Sequence, residues 1–156
     1  MNVSLDSKDL DILIHLQPDS TLSNVELAKK LGMAPSAVLE RVKNLEQKGI
    51  IEGYPTRINP DALNLKLLAF IFVKSSEGPG DETLAKHLAQ IPEVLEMHHI
   101  AGDDCYLLKI RAEDPQSLIK IMRDKFSKLS GILSTKTTIV LETLKESNYL
   151  PINKER

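Results

Sequence analysis

Apolar positions in the first part of the chain recur at helical spacing, and the polar residues between them supply start and stop signals. Asp6 stands where its carboxylate would cap free backbone N–H groups, with Leu5 placed to pack on Leu10, so a first helix with a Leu10, Leu13 and Ile14 stripe is expected. Ser23, with Glu26 three residues on, has the form of a capping box; Val25, Ala28 and Leu31 form the expected buried side, and Gly32 the stop. After a very short turn, Pro35 fits a first helical turn, and Val38, Val42 and Leu45 recur at i, i+4 and i+7 until Gly49. Two short amphipathic helices joined by a tight glycine turn, after a supporting helix, match a helix-turn-helix, and residues 49–54 are a candidate wing. Three helices of any small bundle fit the same local pattern.

Beyond Asn59-Pro60-Asp61 the period changes. Residues 67–73 read as a strand apolar on both faces, so both faces need cover. The Gly78-Pro79-Gly80 loop leads to a helix with Leu84, Leu88 and Ile91 on one side, closed by Pro92. Residues 94–100 form an expected second strand. Gly102-Asp103-Asp104 is a turn, and Tyr106, Leu108 and Ile110 alternate with Cys105, Leu107, Lys109 and Arg111 along a third. Asp114-Pro115 opens a helix with the stripe Leu118, Met122, Phe126 and Leu129, and the β-branched run 135–141 makes a fourth strand. This order predicts an α+β chain: a winged helix-turn-helix at 1–60, then a ferredoxin-like βαββαβ domain at 61–156. Both helices of that domain pack on one sheet face, so the other is expected to meet a second subunit, sheet against sheet.

Composition narrows the classes. The 156 residues are 42% hydrophobic and 27% charged, as in ordinary soluble proteins. The longest apolar run is far short of the ~20 residues a bilayer requires, and the N-terminus has no basic region followed by an apolar core, so a cytoplasmic protein with no membrane partner is expected. A single cysteine, Cys105, excludes an intramolecular disulfide and a cysteine-based zinc cluster. The formal charge of -2 argues against a protein that coats nucleic acid non-specifically, while leaving room for a small basic surface on an oligomer. His98 and His99 are neighbours on a strand and point to opposite faces, so no metal is expected, and no cofactor.

Taken together, the motifs resemble the Lrp/AsnC, or feast/famine, family of bacterial and archaeal regulators over nearly the whole chain. The resemblance rests on Leu5-Asp6 with Asp9 and Ile12-Leu13, on Ser23-Asn24-Val25-Glu26-Leu27-Ala28, and on Arg41-Val42 with Leu45-Glu46 leading to Gly49-Ile50-Ile51-Glu52-Gly53-Tyr54. In the second domain it rests on Pro92-Glu93-Val94, Glu96-Met97-His98, Gly102-Asp103, Tyr106-Leu107-Leu108-Lys109 and residues 135–141. It implies a sequence-specific regulator of transcription that binds double-stranded DNA at pseudo-palindromic operators, a homodimer that often assembles into octamers, and control by an amino acid or related metabolite. Two positions depart from the pattern. Ala34 replaces a Ser that often caps the recognition helix, and Cys105 replaces an acid in the turn before Tyr106, which puts the usual amino-acid contacts in doubt.

With Val38, Val42 and Leu45 inward, a 100° advance per residue puts Ser36, Glu40, Lys43, Asn44 and Gln47 on the far side of the third helix, with Arg41 at its margin. With Ala37 these are the candidate DNA contacts. Arg41 and Lys43 suit phosphate or guanine, Asn44 and Gln47 adenine, and Glu40 cytosine N4; the alternative is a merely solvated face. Gly102, Asp103 and Asp104 offer backbone N–H groups and carboxylates for the two ends of an amino-acid zwitterion, against the alternative of a plain hairpin turn. The resemblance places this loop where dimers meet. Tyr106, Ser134, Thr135 and Thr137 complete the candidate effector set. Siroheme decarboxylases share both domains of the family, but no His and Arg constellation suited to tetrapyrrole propionates is present, so no enzymatic activity is expected. A ligand-binding or scaffolding protein without DNA affinity is the remaining alternative.

Overall fold

The computed structural model describes residues 4–77, 82–103 and 105–153. The chain divides into two compact units: one runs to Thr56 and takes back the chain from Lys145, and the other spans Arg57–Leu144. The sequence places residues 145–153 with the second domain; the structure puts them in the first unit. Gln17 secures this return, as its Nε2 donates to the Leu150 carbonyl at 3.1 Å and its Oε1 accepts from the Leu150 N–H at 2.6 Å.

The first unit contains α1 (Ser7–Leu16), α2 (Asn24–Leu31) and α3 (Pro35–Gln47). Their common core is Ile12, Leu16, Leu27, Ala28, Val38, Val42 and Leu45, with Leu5, Leu13, Ile50 and Ile51 packed against it. Two helices differ from the expected stripes. In α1 the buried residues are Ile12 and Leu16, not Leu10 and Ile14; in α2 Leu27 is buried and Val25 is exposed. Apolar residues cover more than half of the circumference of α1, so periodicity alone did not fix the centre of its inner face.

The second unit is a four-stranded antiparallel sheet in the order β2-β3-β1-β4, built from β1 (Leu67–Ser75), β2 (Val94–His99), β3 (Tyr106–Ala112) and β4 (Ile132–Ile139). Two helices, α4 (Thr83–Ala89) and α5 (Pro115–Asp124), supply Leu84, Leu88 and Leu118 to one face, against Ala69, Ile71, Val73, Tyr106, Leu108, Ile110 and Ala112. This is the expected ferredoxin-like arrangement. Phe126, expected on α5, is buried from a short 3-10 turn beyond it, and β4 begins and ends earlier than the β-branched run suggested. Pairing places Phe70, Phe72 and Leu107 on the opposite face, away from α4 and α5, where Lys136 Nζ lies 5.2 Å from the Phe72 ring centre.

Candidate nucleic-acid interface and effector loop

Local chemistry explains how α2 and α3 are delivered. The Ser23 hydroxyl accepts from the Glu26 N–H at 3.2 Å while a Glu26 carboxylate oxygen accepts from the Ser23 N–H at 2.8 Å, which fixes the start of α2. Gly32 ends it at φ 61°, a left-handed conformation costly for other residues. Two residues later α3 starts at Ala34 with Pro35 in its first turn and no side-chain cap, the weakness expected from Ala34.

Burial of Val38, Val42 and Leu45 then determines what α3 shows to solvent. Ser36, Glu40, Lys43, Asn44 and Gln47 are all exposed, and Ala37 is half-buried at the edge of the same surface. This face holds hydrogen-bond donors and acceptors of both kinds, one carboxylate and one ammonium, a composition suited to base edges as well as phosphates. Leu39, which sequence reasoning missed, is 40% exposed on one flank of this arc. A leucine in an otherwise polar stretch reads as core, but its position 100° from Val38 is the available signal.

Arg41 lies on the other flank, and its guanidinium turns toward α1. Nη1 donates to Asp6 Oδ2 and to Asp9 Oδ1, each at 2.7 Å. Asp6 and Asp9 also form the capping box of α1. The Asp9 backbone N–H and then the guanidinium hold the Asp6 carboxyl below its ordinary pKa, and the two carboxylates raise that of Arg41. Beyond α3 no strand is present among residues 49–58. The chain is held there instead by Ile50 and Ile51 on the helical core and by Tyr54, whose hydroxyl donates to Glu46 Oε1 at 2.8 Å.

The candidate effector residues fall into separate groups. The hairpin between β2 and β3 is closed by the Ile100 N–H donating to the Cys105 carbonyl at 2.9 Å, and the Cys105 N–H donates to the Val73 carbonyl at 2.9 Å. Gly102 sits in the loop at φ 139°, and Asp103 is exposed; Asp104 lies outside the described residues. Tyr106 is buried, its ring centre 5.3 Å from that of His99. Cross-strand pairing puts His99, Tyr106, Val73 and Thr135 in one row and Leu108, Ile71 and Thr137 in the next. Tyr106, Thr135 and Thr137 therefore share the sheet face on which α4 and α5 pack, although both threonines are exposed. Ser134 pairs with Lys74 on the other face and is separated from that group. Among the described residues no group of His, Cys, Asp and Glu has an arrangement suited to a metal ion, and no helix is long and apolar enough to cross a membrane.

Comparison with known proteins gives both units counterparts. Residues 5–52 match a winged helix-turn-helix DNA-binding family, and residues 68–150 match the Lrp/AsnC ligand binding domain. The leucine-responsive regulatory proteins of Klebsiella pneumoniae and Escherichia coli are each 39% identical over 150 residues, covering 95% of this chain and 92% of theirs. Among solved structures, a transcriptional regulator from Neisseria meningitidis in complex with L-Met superposes with a TM-score of 0.90 at 32% identity, over 96% of this chain and 98% of that one. Escherichia coli AsnC superposes at 0.88 with 26% identity, over 96% and 100%. The feast or famine regulatory protein of Mycobacterium tuberculosis with L-methionine superposes at 0.86 with 28% identity, over 94% and 99%. These relatives are regulators of transcription rather than enzymes, and this chain belongs with them to the Lrp/AsnC family of DNA-binding transcriptional regulators.

Proposed function

We propose that the protein is a cytoplasmic regulator that binds pseudo-palindromic operators as a homodimer or higher assembly, up to an octamer, through α3, and that an amino acid or related metabolite controls it from the second unit. The observation that carries this reading is the exposed polar face of α3, set by the burial of Val38, Val42 and Leu45 behind it. Ser36, Ala37, Glu40, Lys43, Asn44 and Gln47 are the contacts, with Lys43 on phosphate and the amides on base edges. A single α3 brings little positive charge, so two copies about one turn of DNA apart must add their contacts. The sheet face carrying Phe70, Phe72 and Leu107 supports subunit pairing, since α4 and α5 pack only on the other side.

The effector site is assigned to the loop at Gly102, Asp103 and Asp104, with Tyr106, Thr135 and Thr137 on the sheet face on which α4 and α5 pack; Ser134, on the opposite face, is left out of it. Bound L-methionine in relatives of the same fold supports an amino acid as its ligand. Duplexes selected by the wild-type protein from a randomised library test the reading. Two inverted half-sites are expected, protected symmetrically in a footprint, with affinity altered by L-methionine or L-leucine. A single asymmetric half-site of full affinity would overturn the two-fold arrangement.

A further inference from the structure

Arg41 has the residue type of a DNA contact and lies on the flank of the proposed DNA-recognition helix, yet its charge is directed toward α1. One guanidinium nitrogen meets two carboxylates at 2.7 Å each, and the Asp9 side chain is only 16% exposed. The cluster of Arg41, Asp6 and Asp9 carries a formal charge of one minus, so a phosphate approaching this flank meets repulsion rather than a free cation. The same turn of α1 also reaches α2, because Lys8 Nζ donates to the carbonyl of Leu31, the last residue of that helix, at 3.3 Å. A cation at a helix C-terminus is favourable there. The first turn of α1 thus holds both helices of the helix-turn-helix, one by its last carbonyl and the other at mid-length.

We propose that Arg41 is a positioning residue for DNA recognition, whose bridge to Asp6 and Asp9 sets the orientation of α3 and which does not itself touch DNA. This rests on the reading of α3 as the recognition helix. A partly exposed ion pair adds little to stability, but two short contacts on one guanidinium fix a direction, and base readout depends on direction.

The sign of one measurement separates positioning from contact. In D6N/D9N the asparagine at position 6 keeps a side-chain acceptor for the helix start, while two negative charges are lost and Arg41 is released. If Arg41 contacts phosphate, or if charge alone matters, the double variant binds the selected duplex more tightly. Positioning predicts the reverse: affinity weaker by roughly two- to thirtyfold, with an unchanged slope of affinity against salt and an unchanged far-ultraviolet circular dichroism spectrum. A second variant pair guards against a folding defect. R41D alone should lose affinity and the exchange R41D/D9R should regain much of it, because the bridge is rebuilt with its polarity reversed. Tighter or equal binding by D6N/D9N, or no recovery in the exchange, overturns the positioning role alone. A wild-type chain that selects no duplex overturns the proposed function, and this inference with it.

Discussion

Gln17 grips Leu150 by both backbone groups, donating to its carbonyl at 3.1 Å and accepting from its N–H at 2.6 Å, although the two residues are 133 apart in sequence. A primary amide paired in this way imitates a neighbouring strand, and it gives the C-terminal tail a fixed partner at the end of α1. Replacing Gln17 by Ala removes both bonds at an exposed site, so the first unit should lose about 1 kcal/mol, and deletion of residues 145–156 should lose at least as much. Urea unfolding followed by hydrogen exchange checks the location: protection should fall in α1 to α3 and stay unchanged in the sheet. Equal loss in both units would show that the tail does not belong to the first.

Ala34 begins α3 at φ -72° and ψ 140°, close to the backbone of Ser23, which begins α2 at φ -70° and ψ 158° with its hydroxyl accepting from Glu26. A serine at position 34 therefore needs no change of backbone to cap α3. Ala34→Ser should stabilise the first unit by about 1 kcal/mol, within the usual range for an N-cap. The urea midpoint should rise with an unchanged m-value; a lower midpoint would mean that another group already occupies the free N–H groups of that turn.

Tyr54 and Glu46 provide a pH-dependent contact. Partial burial, and then the hydrogen bond to the Glu46 carboxylate, push the Tyr54 phenol up to about 12 from an ordinary value of 10.0. The folded state thus favours the protonated phenol. Its contribution is complete below the unfolded pKa and is lost as pH rises from about 10 through about 12, because the unfolded chain ionises first. Stability of the wild type should fall across that window, and Tyr54→Phe should remove this part of the loss while costing about 1 kcal/mol or less at neutral pH. A phenol titrating near 10 in the folded protein would refute the shift.

What the sequence made legible was local. Caps at Asp6 and Ser23, the stop at Gly32 and the buried face of α3 depend on residues within a turn or two, and all are present. The sheet order followed from the succession of periods. Long-range partners were not legible: Arg41 meets carboxylates 35 and 32 positions away, and nothing in its own neighbourhood announces them. The facing of α1 was hidden because Leu10, Ile12, Leu13, Ile14 and Leu16 spread over more than half of the helix circumference, so the pattern does not say which of them lie at the centre of the buried arc. Ser134 was grouped with Thr135 and Thr137 by adjacency, yet alternate strand positions face opposite sides.

The loop proposed to hold the effector offers the sharpest test of control. Gly102 has φ 139°, a conformation that L side chains rarely adopt, and a Cβ built there meets no heavy atom within 4 Å. Gly102→Ala therefore changes the loop through backbone preference rather than through a clash, at a cost of roughly 1 kcal/mol confined to the loop. If backbone N–H groups of this loop hold the effector carboxylate, the variant should bind L-methionine or L-leucine more weakly by calorimetry while keeping its effector-free affinity for DNA. Linkage fixes the rest. An effector that tightens or weakens operator binding by some factor must have its own affinity changed by operator DNA by the same factor, since both are one coupling free energy. In wild type, titrating effector with and without saturating operator should give that factor from either direction. In Gly102→Ala the effector affinity falls, whereas the factor is retained if the loop only binds and is diminished if its conformation also transmits the signal. Wild-type effector affinity in the variant would remove the loop backbone from the site.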